Sequence, residues 1–212
     1  MFDVTPLEFI ATIFFTPLVA ALMLIVNKRF LEDRFDYWPR QIIVGVVFGL
    51  VAIALTEWAI PYHDALLNVR DAAPVCAGLI FGGPAGIIAG IIGGIERWLA
   101  VYWGAGMFTR LACCLGTLIA GIFAALFRKF IFEKKIPSLL YAFTIGAVAE
   151  VIHLTLVMVT NPYHVDDAFI IVSNLAAPVI IGVAASVWLS VLVTRILTKD
   201  SLFSIEKVHS VA

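Results

Sequence analysis

Residues 77–98 read AGLIFGGPAGIIAGIIGGIERW, an apolar stretch in which glycine recurs at every fourth position. Because a helix turns once in about 3.6 residues, this spacing places the glycines along one helix face. In a membrane, such a face lets two backbones approach closely. Two interpretations stay open, since the face can pack against another helix or leave room for a ligand. The five positions are Gly78, Gly82, Gly86, Gly90 and Gly94.

The residues around this stretch are also strongly apolar. Hydrophobic residues make up 62% of the 212 positions and charged residues only 14%, whereas about 25% is usual for charged residues in a soluble domain. Blocks of about 20 apolar residues match the thickness of a bilayer when helical, and lipid offers the backbone no other hydrogen-bond partners. The sequence therefore predicts one all-α membrane domain over residues 1–198. Six apolar segments are expected at 7–27, 41–60, 73–95, 98–127 (interrupted), 138–160 and 168–194.

The distribution of Lys and Arg predicts the orientation, because these residues concentrate in cytoplasmic loops. Residues 128–135 (RKFIFEKK) carry four basic side chains and are expected inside. Residues 161–168 contain two aspartates and no Lys or Arg, and are expected outside. Arg195, Lys199 and Lys207 then place the C-terminus in the cytoplasm. We expect a multi-pass protein of a bacterial inner membrane.

The path of residues 73–110 has two solutions. If the basic stretch 28–40 is cytoplasmic, residues 73–110 enter and leave the membrane by the same face, with a break at Gly83–Pro84 because proline lacks an amide donor. Alternatively, 73–95 is a single span, the N-terminus is inside and 28–40 is outside. The charge of 28–40 favours the first solution, whereas the regular glycine spacing favours a continuous helix.

Several polar residues lie within or beside the apolar segments, where ionisable groups are costly. Arg70 and Arg97 are either anchors that reach the lipid headgroups or a pair that binds a small organic anion. Glu150 and His153 are three apart and so share a helix face; they pair with each other or relay a proton. Asn174 precedes Pro178 by four residues and is expected to bind a carbonyl that the proline leaves free.

The sequence predicts no metal site, cofactor or catalytic group. Cys76, Cys113 and Cys114 lie in apolar segments without the spacing of a metal site. No nucleophile–base pair is evident, so a membrane enzyme is disfavoured.

Two motifs resemble those of the LytS-type five-transmembrane receptor domain, particularly the pyruvate-sensing branch of LytS-like histidine kinases. These are NVRD at 68–71 and the glycine-spaced run that ends in GGIER at 93–97. The stretches GAVAEVIHL (146–154), NPY (161–163) and VSNLAAP (172–178) add to the likeness. The sequence departs from the pattern at Gly116, where a serine is expected.

The resemblance implies a sensing domain followed by a cytoplasmic output, most often a GAF domain and a histidine kinase, sometimes a diguanylate cyclase. Residues 199–212 are then the start of a connector, the chain is part of a longer receptor, and the output domain makes a homodimer. The ligand-binding residues implied by the motifs are Asn68, Arg70, Arg97, Cys113 and Thr117.

The resemblance implies a small carboxylate such as pyruvate as the ligand. The charges agree, since no acidic partner pair is evident for both arginines and a buried guanidinium needs a counter-charge. Membrane lipid is the other expected partner, and nucleic acid is not expected. The alternative function is a small-solute transporter or the substrate-binding subunit of a vitamin-uptake system, in which short glycine-spaced helices also occur.

Overall fold

A computed structural model describes residues 6–104 and 106–198 of the chain, and it confirms an all-α membrane fold. Helix α1 (Pro6–Val26) continues as a π-helical turn (Asn27–Leu31), and α2 spans Tyr37–Glu57. Strands β1 (Ile60–Tyr62) and β2 (Ala65–Leu67) precede α3 (Ala72–Cys76), which continues as a second π-helical turn (Ala77–Phe81). The remaining helices are α4 (Gly83–Ala100), α5 (Arg110–Phe130), α6 (Leu139–Thr160) and α7 (Val165–Thr198).

Five helices in the described part of the chain are long and apolar enough to cross a membrane: α1, α2, α5, α6 and α7. They form a ring with α4, in which α1 packs on α7, α7 on α6, α6 on α5, α5 on α4 and α4 on α2. The short helix α3 lies inside this ring and contacts α1, α2, α4, α5 and α7. If all five cross, their odd number places residues 6 and 198 on opposite sides of the membrane.

The predicted segment 73–95 is a helical hairpin. The chain reverses at Gly82, whose φ of 154° and ψ of 151° suit glycine, and a Cβ built on Gly86 would lie 2.6 Å from the Cα of Gly78. The two limbs are therefore antiparallel, and residues 73–110 enter and leave by the same face. The single span and the continuous helix are both wrong. Pro84 lies in the first turn of α4, where its missing amide costs no hydrogen bond, so the break belongs to Gly82.

Side chains from neighbouring helices bind the backbone at the hairpin tip. Gln41 of α2 donates from Nε2 to the Phe81 carbonyl (3.1 Å), and its Oε1 accepts from the Ala85 amide (3.2 Å). Arg128 of α5 donates to the Leu79 carbonyl. These contacts supply hydrogen-bond partners that lipid cannot offer, and so allow the helix to break at this point.

The glycine spacing produces close packing, as one of its two interpretations predicted. A Cβ on Gly90 would lie 2.9 Å from the Thr117 carbonyl oxygen, and one on Gly94 would lie 2.9 Å from that of Cys114. On the other limb, a Cβ on Gly78 would lie 2.7 Å from the Cβ of Ala124. The stripe is therefore shared between two helices, and both limbs contact the backbone or Cβ atoms of α5.

The outer connection before the hairpin contains two short antiparallel strands, with Ile60 paired to Leu67. Their turn falls at His63 and Asp64, both with positive φ (42° and 56°). The β-hairpin fixes the start of the NVRD motif, since Asn68 follows β2 directly.

Candidate functional site

Arg70 lies at the base of the helical hairpin and is completely buried. Its Nε donates to Thr117 Oγ1 (2.9 Å) and its Nη2 to the Cys113 carbonyl (3.2 Å). Cys113 and Thr117 are one turn apart on α5, so both present groups to the same guanidinium. The Asn68 side chain accepts from the Arg70 amide (3.2 Å), and therefore orients the backbone of the motif.

Asp71, the next residue of the motif, connects Arg70 to α6. Its Oδ1 accepts from Thr117 Oγ1 (2.6 Å) and lies 3.5 Å from the Nε of Arg70. Its Oδ2 lies 2.8 Å from Nδ1 of His153. The expectation that neither arginine has an acidic partner is thus wrong for Arg70, because the chain turns into α3 at this point and brings the adjacent carboxylate alongside the guanidinium.

Glu150 and His153 form the pair that their spacing predicted, with 3.3 Å between Glu150 Oε1 and His153 Nδ1. The other ring nitrogen of His153 lies 3.3 Å from Cys113 Sγ. Gly116 makes room for this ring, since a Cβ there would lie 2.7 Å from the imidazole. Glycine in place of the expected serine is therefore matched to the position of His153.

Arg97 is also completely buried, so the alternative in which it reaches the lipid headgroups is wrong. It lies in the last turn of α4. Its Nη2 donates to the Gly106 carbonyl (2.5 Å) and approaches Thr109 Oγ1 (3.5 Å). Neither Nε nor Nη1 has a hydrogen-bond partner among the residues that the structure describes.

The loop that binds Arg97 is held by Asp64, in the turn of the β-hairpin. Its carboxylate accepts from three consecutive backbone amides, at Gly106 (2.8 Å), Met107 (3.1 Å) and Phe108 (3.0 Å). Because Gly106 supplies the carbonyl for Arg97, Asp64 positions that guanidinium indirectly.

Both arginines reach the start of α5, where Arg70 binds the Cys113 carbonyl and Arg97 approaches Thr109 one turn earlier. Like Nε and Nη1 of Arg97, the buried Nη1 of Arg70 has no hydrogen-bond acceptor among the described residues. The site therefore holds more cationic hydrogen-bond donors than the described residues satisfy.

Asn174 lies apart from this cluster, on the exposed face of α7. Its Nδ2 donates to the Ile170 carbonyl (2.7 Å). The prediction that it binds a carbonyl freed by Pro178 is wrong, because a proline removes the donor to the carbonyl four residues earlier, which is that of Asn174 itself.

Three buried side chains offer metal-ligand atoms within 4.8 Å of one another: Asp71, Glu150 and His153. Sequence spacing could not reveal this group, since Asp71 comes from the hairpin and the other two from α6. The ion pairs described above already account for its charges.

Asp71, Asp64 and Thr109 contribute to the site but were not predicted as site residues. Asp71 could have been recognised from the sequence, because an acidic residue between an arginine and an apolar helix is unusual. Asp64 could have been recognised only as a turn residue, and nothing in the sequence connected it to residues 106–108.

The spanning helices and the buried cationic cluster define a multi-pass membrane protein built around an internal polar site. A family model described as 5TMR of 5TMR-LYT matches residues 24–196. The chain belongs to this family of five-transmembrane receptors, which confirms the resemblance seen in its motifs.

Three curated relatives are sensor kinases by name. Sensor histidine kinase BtsS of Escherichia coli (strain K12) is 26% identical over 164 residues, covering 74% of this chain and 28% of the relative. The BtsS protein of Shigella flexneri gives the same values. Sensor histidine kinase YpdA of E. coli (strain K12) is 29% identical over 175 residues, covering 77% of this chain and 29% of the relative. The chain thus spans less than a third of these relatives. No solved structure gives a significant match.

Proposed function

We propose that this chain is the input domain of a bacterial sensor histidine kinase and binds a small carboxylate, with pyruvate as the first candidate. Family membership and the kinase names of the relatives support a receptor over an uptake subunit. The kinase, its connector beyond residue 198 and a homodimer formed through the output domain belong to this proposal.

The observation that carries the proposal is a set of donors on the two buried arginines that have no acceptor among the described residues: Nη1 of Arg70 and both Nε and Nη1 of Arg97. Burying cationic donors without acceptors is costly. A carboxylate accepts two parallel hydrogen bonds from one guanidinium and adds a negative charge. Asp71 offsets one arginine, but its other oxygen pairs with His153. An anion bound to both arginines would supply acceptors for these donors. The buried Glu96 carboxylate does not do so, since neither of its oxygens has a hydrogen-bond partner among the described residues.

Signal transmission begins beside Arg70. Val69 packs so closely on α7 that a Cβ at Gly182 would lie 2.8 Å from its Cγ1. Helix α7 continues without interruption to Thr198, towards the proposed output. A ligand that binds one arrangement of the hairpin base better than another shifts the population of α7 positions.

A titration tests the ligand site. Purified protein in detergent is titrated calorimetrically with pyruvate, lactate, acetate and serine. We expect Arg97→Lys to weaken carboxylate binding about ten- to a hundredfold, because lysine cannot make the two-point contact. Arg110→Lys is the matched control, because it makes the same substitution at an arginine that stacks on Trp98 (3.9 Å to the ring centre) and is not part of the proposed ligand site. Absence of carboxylate binding, or equal affinity of Arg70→Ala, Arg97→Ala and wild type, would refute the site.

The orientation is tested by labelling. With the C-terminus in the cytoplasm, an impermeant thiol reagent added to intact cells modifies Asp166→Cys and spares Lys134→Cys. Both positions are exposed, and the parent protein with its three native cysteines supplies the background. The reverse labelling pattern would invert the topology.

A further inference from the structure

We propose that a cavity at the tip of the helical hairpin binds the headgroup of an anionic phospholipid. The cavity has a volume of about 440 Å³ and lies between the start of α2, the tip at Gly82–Pro84 and the end of α5. This volume falls within the range of small-molecule sites, about 300–1,000 Å³. The cavity lies at the opposite end of the hairpin from Arg70 and Arg97, so the inference goes beyond the proposed function.

The charges around this cavity are all positive. Arg128, Lys129 and Lys134 line it, and no acidic residue does. In the described part of the chain, no carboxylate lies within ion-pair distance of these three groups. Arg128 donates to the Leu79 carbonyl, and Lys129 lies 4.9 Å from the centre of the Phe130 ring. Three cations with only neutral partners attract an anion with several acceptor oxygens, such as a phosphate.

The rest of the cavity wall is apolar, which favours a lipid over a soluble phosphate. Phe81, Ile87 and Leu126 line it, and Leu126 precedes Lys129 by about one helical turn on α5. Tyr37 and Trp38 line its outer edge and are 49% and 63% exposed. Aromatic rings of this kind concentrate at headgroup depth.

The surrounding loops indicate which leaflet supplies the lipid. The cavity opens on the face of residues 28–40 and 128–135, whose basic side chains predict the cytoplasmic side. That leaflet carries the anionic lipids, and each nearby Lys or Arg adds to the attraction. A lipid bound here would contact both the tip and the end of α5. It would therefore stabilise the hairpin at the end opposite to the proposed ligand site.

Native mass spectrometry of the delipidated full-length receptor in detergent tests the site, with phosphatidylglycerol and phosphatidylcholine offered at equal concentration. We expect wild type to retain phosphatidylglycerol about tenfold or more in preference, and Lys129→Gln/Lys134→Gln to lose that preference. Arg34→Gln is the matched control, because Arg34 is exposed on the same face but does not line the cavity. Arg128 is left intact, since it also binds backbone.

The outcomes separate the sources of the anion. Inorganic phosphate at millimolar concentration should fail to displace phosphatidylglycerol; displacement would overturn the lipid proposal in favour of a soluble anion. Unchanged retention in the double variant, or an equal loss in Arg34→Gln, would also overturn it. If the double variant is unfolded by circular dichroism, Lys134→Gln alone must lower the preference, because Lys134 is exposed and outside the helices.

Discussion

The two ends of the helical hairpin satisfy buried polar groups in different ways. At the tip, the neutral side chain of Gln41 binds Phe81 and Ala85, one on each side of the break. At the base, a charged network joins Arg70 and Asp71 to α5 and α6, and some arginine donors have no acceptor in the part of the chain that the structure describes. The tip is therefore suited to be a fixed point, whereas the base has the unmet hydrogen-bonding capacity that a ligand can use.

Of the substitutions proposed, Asp71→Ala at the hairpin base should destabilise the protein most. Asp71→Ala leaves Arg70 and His153 buried without their carboxylate, and losing one partner of a buried ion pair costs about 3–5 kcal/mol. Thermal and chemical unfolding in detergent measure this loss. The matched control is Asp167→Ala, which removes the exposed pair with His164 (3.7 Å) and should cost about 0–1 kcal/mol. Equal losses in both variants would mean that the base network adds no stability.

The limbs between the two ends should tolerate almost no added volume. In Gly86→Ala, the new methyl group would lie 2.6 Å from Gly78 Cα and 2.9 Å from the Pro74 carbonyl oxygen, both backbone atoms that cannot rotate away. We expect a loss near the upper end of the usual range for overpacking, about 3 kcal/mol. Ile91→Leu on the exposed side of α4 is the control. A wild-type unfolding temperature for Gly86→Ala would show that the limbs separate easily.

The sequence predicted the apolar segments well, because the bilayer thickness and the hydrogen-bonding needs of the backbone leave few solutions. A break within 73–95 was one of the two solutions that it left open, with Gly83–Pro84 as the cause, whereas Gly82 proved to be the residue that reverses the chain. The arginines, Cys113 and Thr117 were named through family motifs. Their convergence was a hypothesis that spacing alone could not test.

The remaining features depend on contacts between distant residues. Gln41 is an ordinary glutamine near the start of an apolar helix, and only the fold shows that it binds both sides of Gly82. Asp64 likewise holds residues more than 40 positions away. Such partners have no local signal, because a hydrogen bond across helices imposes no periodicity on the sequence.

At the tip, Gln41→Met should have a smaller effect than the loss of Asp71. Methionine keeps the length of the side chain but cannot hydrogen-bond the Phe81 carbonyl or the Ala85 amide. An unsatisfied buried group costs about 1–3 kcal/mol, and we expect a total near the middle of that range because both lost bonds are neutral. Ile42→Met, on the exposed side of α2, is the control. If the loss matched that of Asp71→Ala, the contrast between the two ends would disappear.

The smallest effect is expected outside the hairpin, at Asn174. Its side chain is exposed and donates to Ile170, whose carbonyl also accepts from Ser173 (3.1 Å), so that this oxygen keeps a donor in Asn174→Leu. Leucine also suits a lipid-facing position. Stability should change by no more than about 0.5 kcal/mol, and cross-linking of the full-length receptor should show the same dimer fraction as wild type. A polar group on this face can also bind α7 of a second copy, and an interhelical hydrogen bond of that kind is worth about 0.6–2 kcal/mol. A lower dimer fraction in Asn174→Leu, with no change in carboxylate affinity, would therefore place a subunit contact on α7.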